Sequence, residues 1–119
     1  MTPSAPAHGD LFDLQVNGFA GVDFQADDLS LDAMERVARA LRAHGVARIL
    51  HTLVTERVDT LCRRLERMEA LCARSPLLRA TIAGHHLEGP WLSPETGYCG
   101  AHDPALMAPA SEADAARLL

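Results

Sequence analysis

The sequence predicts an α/β fold in which three parallel strands alternate with helices. Apolar runs of strand length alternate with segments whose apolar residues recur at helical spacing, and turn-forming residues separate the two kinds of segment. Connections between parallel strands are right-handed, and successive elements usually lie side by side. We therefore expect the C-terminal ends of the three strands to share one edge, where α/β proteins build their binding sites.

The composition argues against several functional classes. The 119 residues carry 11 Lys and Arg against 16 Asp and Glu, a net charge of -5 without a basic block, so we expect no nucleic-acid partner. No signal-peptide pattern and no run of 18 apolar residues occurs, so we expect no membrane partner and a cytoplasmic location. The three cysteines form no CxxC pair, which argues against a disulfide framework and a zinc knuckle.

The chain opens with a segment without predicted structure and a strand with one polar face. Residues 1–10, which contain two prolines and a glycine, predict a flexible leader. Residues 11–17 predict the first strand, and its two-residue alternation places Asp13, Gln15 and Asn17 on the same face.

Two helices enclose the second strand. Residues 31–44 predict a helix with Ser30 as its N-cap, and residues 46–54 are a largely apolar run typical of a strand buried on both faces. Residues 56–74 then predict a second amphipathic helix, for which we expect Thr55 to be the N-cap.

The third strand, predicted over residues 78–88, ends on a carboxylate. A carboxylate at the end of a buried strand is costly to desolvate, so Glu88 requires a metal ion, an arginine partner or open solvent. The alternation points His86 in the same direction as Glu88 and His85 toward the opposite face, where we expect it to pack against a helix.

A long loop follows the third strand. Residues 89–110 hold four of the seven prolines and three of the eight glycines, and their Trp91, Tyr98 and His102 favour a functional loop over a disordered one. Residues 112–119 begin another helix with a capping-box pattern.

Three short segments together resemble one enzyme family. Residues 13–18 (DLQVNG), 86–91 (HLEGPW) and 100–104 (GAHDP) resemble the N-acetylglucosamine-6-phosphate deacetylases of the amidohydrolase superfamily, and the resemblance extends from residue 11 to about residue 110. It implies a metal-dependent (β/α)8 barrel that removes the acetyl group from N-acetylglucosamine 6-phosphate in amino sugar catabolism. Because such a barrel takes roughly 250 residues, we expect this chain to form its first three β/α units only.

The resemblance also implies roles for individual residues. Glu88 matches the family's glutamate metal ligand, and Ala101 and His102 match the positions that contact the sugar substrate, Ala101 through its backbone. The family's catalytic aspartate and its other metal-binding residues have no counterpart in this chain, so we expect them in later units. The family also implies a homodimer for the full-length protein.

Two residues of the first strand bear on the number of metal ions that the resemblance implies. Gln15 and Asn17 stand where many amidohydrolases carry a pair of metal-binding histidines, and amide side chains bind zinc or iron poorly beside imidazole. We therefore expect one divalent metal ion, with zinc as the first choice and iron or another metal as alternatives. Gln15, Asn17 and His86 are candidates for hydrogen-bonding positions around the site, although a purely structural role stays open for each.

A second functional class stays open beside the enzyme. A truncated barrel would expose strand edges and apolar helix faces, so the chain could instead be a non-catalytic remnant that binds a sugar phosphate or a protein partner. A third hypothesis, an amidohydrolase acting on a ring amide, fits poorly because Gln15 and Asn17 replace the usual histidines.

Overall fold

The computed structural model of the chain describes residues 11–119, so the flexible leader predicted for residues 1–10 lies outside the described residues. The described part contains five strands, four α-helices and one short 3₁₀ helix. In chain order they are β1 (Leu11–Val16), β2 (Gly18–Phe19), β3 (Val22–Asp23), α1 (Leu31–Ala43), β4 (Val46–Val54), α2 (Val58–Arg74), α3 (Pro76–Thr81), β5 (Ile82–Glu88), the 3₁₀ helix (Pro104–Leu106) and α4 (Glu112–Leu118).

The central feature is a parallel sheet with the strand order β1-β4-β5. This arrangement confirms the predicted α/β fold with parallel strands. The register pairs Thr52 with His86 and Val54 with Glu88, so β4 and β5 end at the same level. The short strands β2 and β3 form a separate antiparallel hairpin that directly follows β1 in the chain.

An apolar core joins the central strand to the first three helices. Ile49 of β4 belongs to one buried cluster with Met34 of α1, Met68 of α2, Leu78 of α3 and Phe24 from the segment after β3, and each is at most 1% exposed. Burying a side chain of this size stabilises a fold by roughly 1.5–3 kcal/mol. The core therefore holds β4 firmly, and β4 carries one wall of the candidate site described below.

The starts of α1 and α4 follow from local capping. The Ser30 hydroxyl accepts a hydrogen bond from the Ala33 amide at 3.1 Å at the start of α1, and the Ser111 hydroxyl accepts one from the Asp114 amide at 3.1 Å at the start of α4. Such caps satisfy amides that the first helical turn leaves unpaired. None of the helices within residues 11–119 is both long and apolar enough to cross a membrane.

The third strand is shorter than the predicted span of residues 78–88. It begins at Ile82, because Pro76–Thr81 forms the helix α3. The Ser75 hydroxyl caps this helix by accepting a hydrogen bond from the Leu78 amide at 3.2 Å, and proline is favoured at a first helical position because it needs no amide partner there. The strand predicted over residues 78–88 did not allow for this serine cap and the proline that follows it.

The prediction that Thr55 caps the second helix is wrong. Helix α2 begins at Val58, its N-cap residue is Arg57, and no side-chain hydrogen bond caps it. The Thr55 hydroxyl instead donates a hydrogen bond to the backbone carbonyl oxygen of Glu88 at 3.2 Å. The Thr55 side chain thus contacts the end of the neighbouring strand β5 and does not cap α2.

Candidate functional site

A cavity of about 400 Å³ lies at the C-terminal ends of the three parallel strands. Five of its lining residues were singled out from the sequence, namely Gln15, Asn17, Glu88, Ala101 and His102. Val54, Thr55 and Asp103 complete the lining. The structure thus brings residues from β1, β5 and the long loop together around one space.

Glu88 occupies the centre of this group. The Asn17 side-chain amide donates a hydrogen bond to Glu88 Oε2 at 3.3 Å, and His102 Nε2 lies 3.4 Å from Glu88 Oε1. The Glu88 side chain is 31% exposed and the His102 side chain 16% exposed. Both carboxylate oxygens therefore have a polar neighbour, and the group keeps part of its contact with solvent.

The sequence after β1 turns sharply, and this turn places Asn17 beside the cavity. A Cβ atom on Gly18 would lie 2.5 Å from the Val22 carbonyl oxygen, so only glycine allows the hairpin to approach this closely. The Asn17 carbonyl oxygen accepts a hydrogen bond from the Phe24 amide at 3.0 Å. Together these contacts tie the end of β1 to the hairpin and leave the Asn17 amide free to reach Glu88.

The two predicted substrate contacts, Ala101 and His102, lie on the long loop and line the cavity. His102 donates its backbone amide to the Cys99 carbonyl oxygen at 3.1 Å, which forms a turn just before the site. Farther along, the Ala108 amide donates to the Pro90 carbonyl oxygen at 3.2 Å, so the loop returns to the segment where it left β5. Ala101 and His102 are thereby held against the strand ends.

His86 does not line the cavity. It lies two residues before Glu88 on β5, and its Nδ1 forms a 3.3 Å hydrogen bond with the Thr52 hydroxyl. The Thr52 hydroxyl also accepts the Val16 amide at 3.2 Å. Among the roles left open for His86, this geometry favours a cross-strand structural contact.

A second polar group lies on the other face of β4 and β5. His51 Nδ1 is 2.9 Å from His85 Nδ1, and His85 Nε2 is 2.7 Å from the carboxylate of Glu69 on α2. Burial, together with the nearby His85, lowers the pKa of His51 from 6.5 to about 3. His85 thus contacts a helix, as expected from the sequence, whereas no role was predicted for His51.

The described residues supply only part of a metal site. Within residues 11–119 no three His, Cys, Asp or Glu side chains lie together in a way that could hold one ion. Catalytic zinc ions take three protein ligands and keep one position for water or substrate. The Glu88 carboxylate lines the cavity and is 31% exposed, and its chemistry fits one such ligand. A metal ion bound there would need further ligands beyond those that residues 11–119 supply.

Thr55 and Asp103 were not predicted to line the cavity, because their placement depends on strand register and on loop geometry. Val54 pairs with Glu88 across the sheet, and Thr55 follows directly. The Asp103 side chain accepts the Ala105 amide at 2.9 Å and caps the 3₁₀ helix next to His102. The register of β4 against β5, extended by one residue, is the signal that could have found Thr55.

Comparison with known proteins relates this chain to two groups of sugar phosphate deacetylases. An N-acetylgalactosamine-6-phosphate deacetylase from Escherichia coli is 35% identical over 94 residues, which cover 79% of this chain and 24% of that protein. An N-acetylglucosamine-6-phosphate deacetylase from Bos taurus is 36% identical over 94 residues, which cover 78% of this chain and 22% of that protein.

The structural comparison gives the same relationship. The crystal structure of N-acetyl-D-glucosamine-6-phosphate deacetylase from Mycobacterium smegmatis superposes with a TM-score of 0.72 and 34% identity, covering 90% of this chain and 28% of that one. No family model matches the chain. The chain therefore spans about a quarter of the length of the relatives that it matches.

Proposed function

We propose that the cavity of this chain, which is related to the N-acetylglucosamine-6-phosphate deacetylases and matches about a quarter of their length, is part of a deacetylase active site. In this proposal residues 11–119 form the first three β/α units of a (β/α)8 barrel. The supporting observation is that Asn17, Glu88 and His102 converge in one cavity at the C-terminal ends of parallel strands. Barrel enzymes build their active sites at this end.

In the proposed site Glu88 is one ligand of a single divalent metal ion, with zinc as the first choice and iron or another metal as alternatives. An ion of this kind lowers the pKa of a water molecule and polarises a carbonyl oxygen. The Asn17 amide holds one oxygen of the Glu88 carboxylate and leaves the other facing His102. We assign Gln15 and Asn17 to hydrogen bonding, since amide groups bind zinc poorly beside imidazole.

The proposed substrate is an amino sugar phosphate that carries an N-acetyl group. His102 lies in the cavity with its Nε2 near Glu88, where it could also donate a hydrogen bond to a sugar hydroxyl, and Ala101 beside it would offer backbone groups. The relatives are named for both N-acetylglucosamine and N-acetylgalactosamine 6-phosphate. We propose N-acetylglucosamine 6-phosphate as the preferred substrate and hydrolysis of its acetamide bond as the reaction.

The first test replaces the proposed metal ligand. In the full-length polypeptide, Glu88→Gln is expected to lower kcat/KM for acetate release from N-acetylglucosamine 6-phosphate by about 100-fold or more, because the amide removes the charge that holds the ion. The matched control is Glu66→Gln, an exposed glutamate on α2, which should leave activity unchanged. Assaying N-acetylgalactosamine 6-phosphate in parallel measures the sugar preference. Full activity in Glu88→Gln would refute the proposed metal ligand.

A non-catalytic role is the second candidate, and exposed apolar side chains on β1 favour it. Leu14 is 62% exposed and Phe12 47% exposed on this edge strand, so a partner could cover them. The intact mass of the polypeptide in its source cell separates the two functions. A mass far above 12.8 kDa supports the barrel enzyme, whereas 12.8 kDa would favour the binding role.

Two further parts of the proposal concern the whole protein. We propose that the full-length protein forms a homodimer and resides in the cytoplasm. Sedimentation velocity of the full-length protein and fractionation of the source cell would measure these two properties directly.

A further inference from the structure

Thr55 is in direct contact with the backbone that carries the Glu88 carboxylate. Its hydroxyl donates a 3.2 Å hydrogen bond to the Glu88 carbonyl oxygen, although the two residues lie 33 positions apart in the chain. Thr55 is only 5% exposed, and it lines the same cavity as Glu88. Its side chain therefore lies between the end of β4 and the end of β5.

The residue after Glu88 shows how closely the two strand ends pack. Gly89 has a φ of +113°, and a Cβ atom there would lie 1.9 Å from the Thr55 hydroxyl oxygen and 3.2 Å from the Thr55 Cα. No side chain fits in this space, and the backbone conformation itself favours glycine. Thr55 thus packs against the point at which the chain leaves β5.

The end of β4 is itself held in place by Gln25. The Gln25 side-chain amide donates to the Thr52 carbonyl oxygen at 3.0 Å and accepts the Val54 amide at 3.0 Å. Beyond the end of β1, this amide therefore takes over the two hydrogen bonds that a neighbouring strand would supply. Because these hydrogen bonds hold the backbone of Val54, they also restrict the backbone position of Thr55, the next residue.

We propose that Thr55 is a positioning residue, which aims the Glu88 carboxylate into the cavity through its hydrogen bond to the Glu88 carbonyl oxygen. Gln25 acts behind it by holding the end of β4. The direction of a carboxylate depends on its backbone, and two backbone anchors, one on each strand end, restrict that direction. This inference rests on the proposed function, in which Glu88 binds the metal ion.

The test compares two substitutions at Thr55 in the full-length polypeptide. Thr55→Val keeps the volume and removes the hydroxyl, whereas Thr55→Ser keeps the hydroxyl and removes a methyl group. Substitution of a group that orients a metal ligand typically lowers metal affinity by 10- to 100-fold. We expect Thr55→Val to weaken Zn²⁺ binding by about 10-fold or more in a chelator competition. We expect Thr55→Ser to bind nearly as tightly as the parent protein.

The visible absorption of bound Co²⁺ gives a second readout, because it reports the geometry of the ligands. The spectrum should shift in Thr55→Val and stay unchanged in Thr55→Ser, and a thermal unfolding curve for each variant shows whether it is folded. Equal Zn²⁺ affinity and equal Co²⁺ spectra in the parent and Thr55→Val would overturn the positioning role. A loss that is the same in both variants would also overturn it, since the hydroxyl would then be irrelevant.

A separate arm distinguishes failure of this inference from failure of the proposed function. If Glu88→Gln binds Zn²⁺ as tightly as the parent, the proposed metal ligand is wrong. Crystal structures of the metal-free parent and of Thr55→Val then decide the role of Thr55. A Glu88 carboxylate displaced from Asn17 in Thr55→Val supports the inference, and a carboxylate that keeps its place overturns it.

Discussion

At the scale of single residues, Glu88 shows how a carboxylate is accommodated at a strand end. Desolvating a charge fully costs several kcal/mol, whereas one hydrogen bond to a charged group returns about 1.5–3 kcal/mol. The side chain keeps 31% of its exposure and gains Asn17 and His102 as neighbours, so no single interaction has to offset the whole cost. The remaining exposed side of the carboxylate is the side available to a ligand.

The contact between the buried His51 and the partly exposed His85 is a second feature at this scale. His85 Nε2 faces the Glu69 carboxylate, so its proton belongs on that nitrogen and its Nδ1 accepts from His51. His51 Nε2 is then a buried acceptor, and it has no hydrogen-bond partner among the described residues. The core favours a neutral His51, because protonation would place a charge on the buried ring and add an N–H group at Nε2 that finds no acceptor among the described residues.

This preference predicts a pH dependence of stability. The pKa of His51 falls to about 3 in the folded protein, against about 6.5 in the unfolded chain. At pH values between these two, the unfolded state binds more protons than the folded state. The contribution of His51 to the free energy of unfolding is therefore complete above about pH 6.5 and decreases as the pH falls. We expect this histidine to contribute a loss of up to about 1.4 kcal/mol per pH unit in that window.

Urea unfolding at pH values from 7 to 5 checks this prediction, because few carboxylates titrate in that range. In His51→Leu the decrease of unfolding free energy with falling pH should become smaller. The matched control is His44→Gln, which alters an exposed histidine at the end of α1. An unchanged slope in His51→Leu would show that His51 is not the titrating group.

At the scale of elements, the start of α3 depends on one buried serine. Ser75 is 1% exposed, and its hydroxyl accepts the Leu78 amide while donating to the Glu35 carboxylate at 2.7 Å. This hydrogen bond from Ser75, followed by that from Arg39, lowers the pKa of Glu35 below its usual value. One side chain thus caps α3 and connects it to α1.

Ser75→Ala is therefore expected to destabilise the fold by about 1–2 kcal/mol, the usual cost of losing a helix N-cap. Urea unfolding measures the change. The matched control is Ser93→Ala, which alters an exposed loop serine and should change stability by less than about 0.5 kcal/mol. Equal stability of the two variants would mean that the cap does not hold α3.

At the scale of the whole molecule, the sheet has two edges within the described residues. β1 and β5 each pair with β4 on one side only. Unpaired strand edges and exposed apolar residues promote association, and Phe12 and Leu14 add apolar surface on β1. The proposed barrel would cover both edges with further strands.

Hydrogen exchange tests this expectation. In the full-length protein the β5 amides that point away from β4 should exchange slowly, because the next strand of the barrel would pair with them. In a polypeptide limited to these 119 residues, the same amides should exchange fast unless the chains associate, and sedimentation should then depend on concentration. Fast exchange of these amides in the full-length protein would contradict a closed barrel.

The sequence by itself determined the alternation of strands and helices, the Ser30 cap, and the candidate residues Asn17, Glu88 and His102, which the structure places in one cavity. These features rest on local periodicity, on capping patterns and on short motifs, all of which lie within a few residues of chain. The start of α3 was also local, since Ser75 precedes a proline, and it could have been predicted.

Only the tertiary structure decided which distant side chains meet. The Thr55 hydroxyl bonds to a carbonyl 33 residues away, and His51 meets His85 across 34 residues. His86 was directed to Thr52, outside the cavity, by the same pairing of β4 with β5. The physical reason is that the register of two parallel strands is set by the packing of the whole core, and a shift of one residue would reverse every side chain.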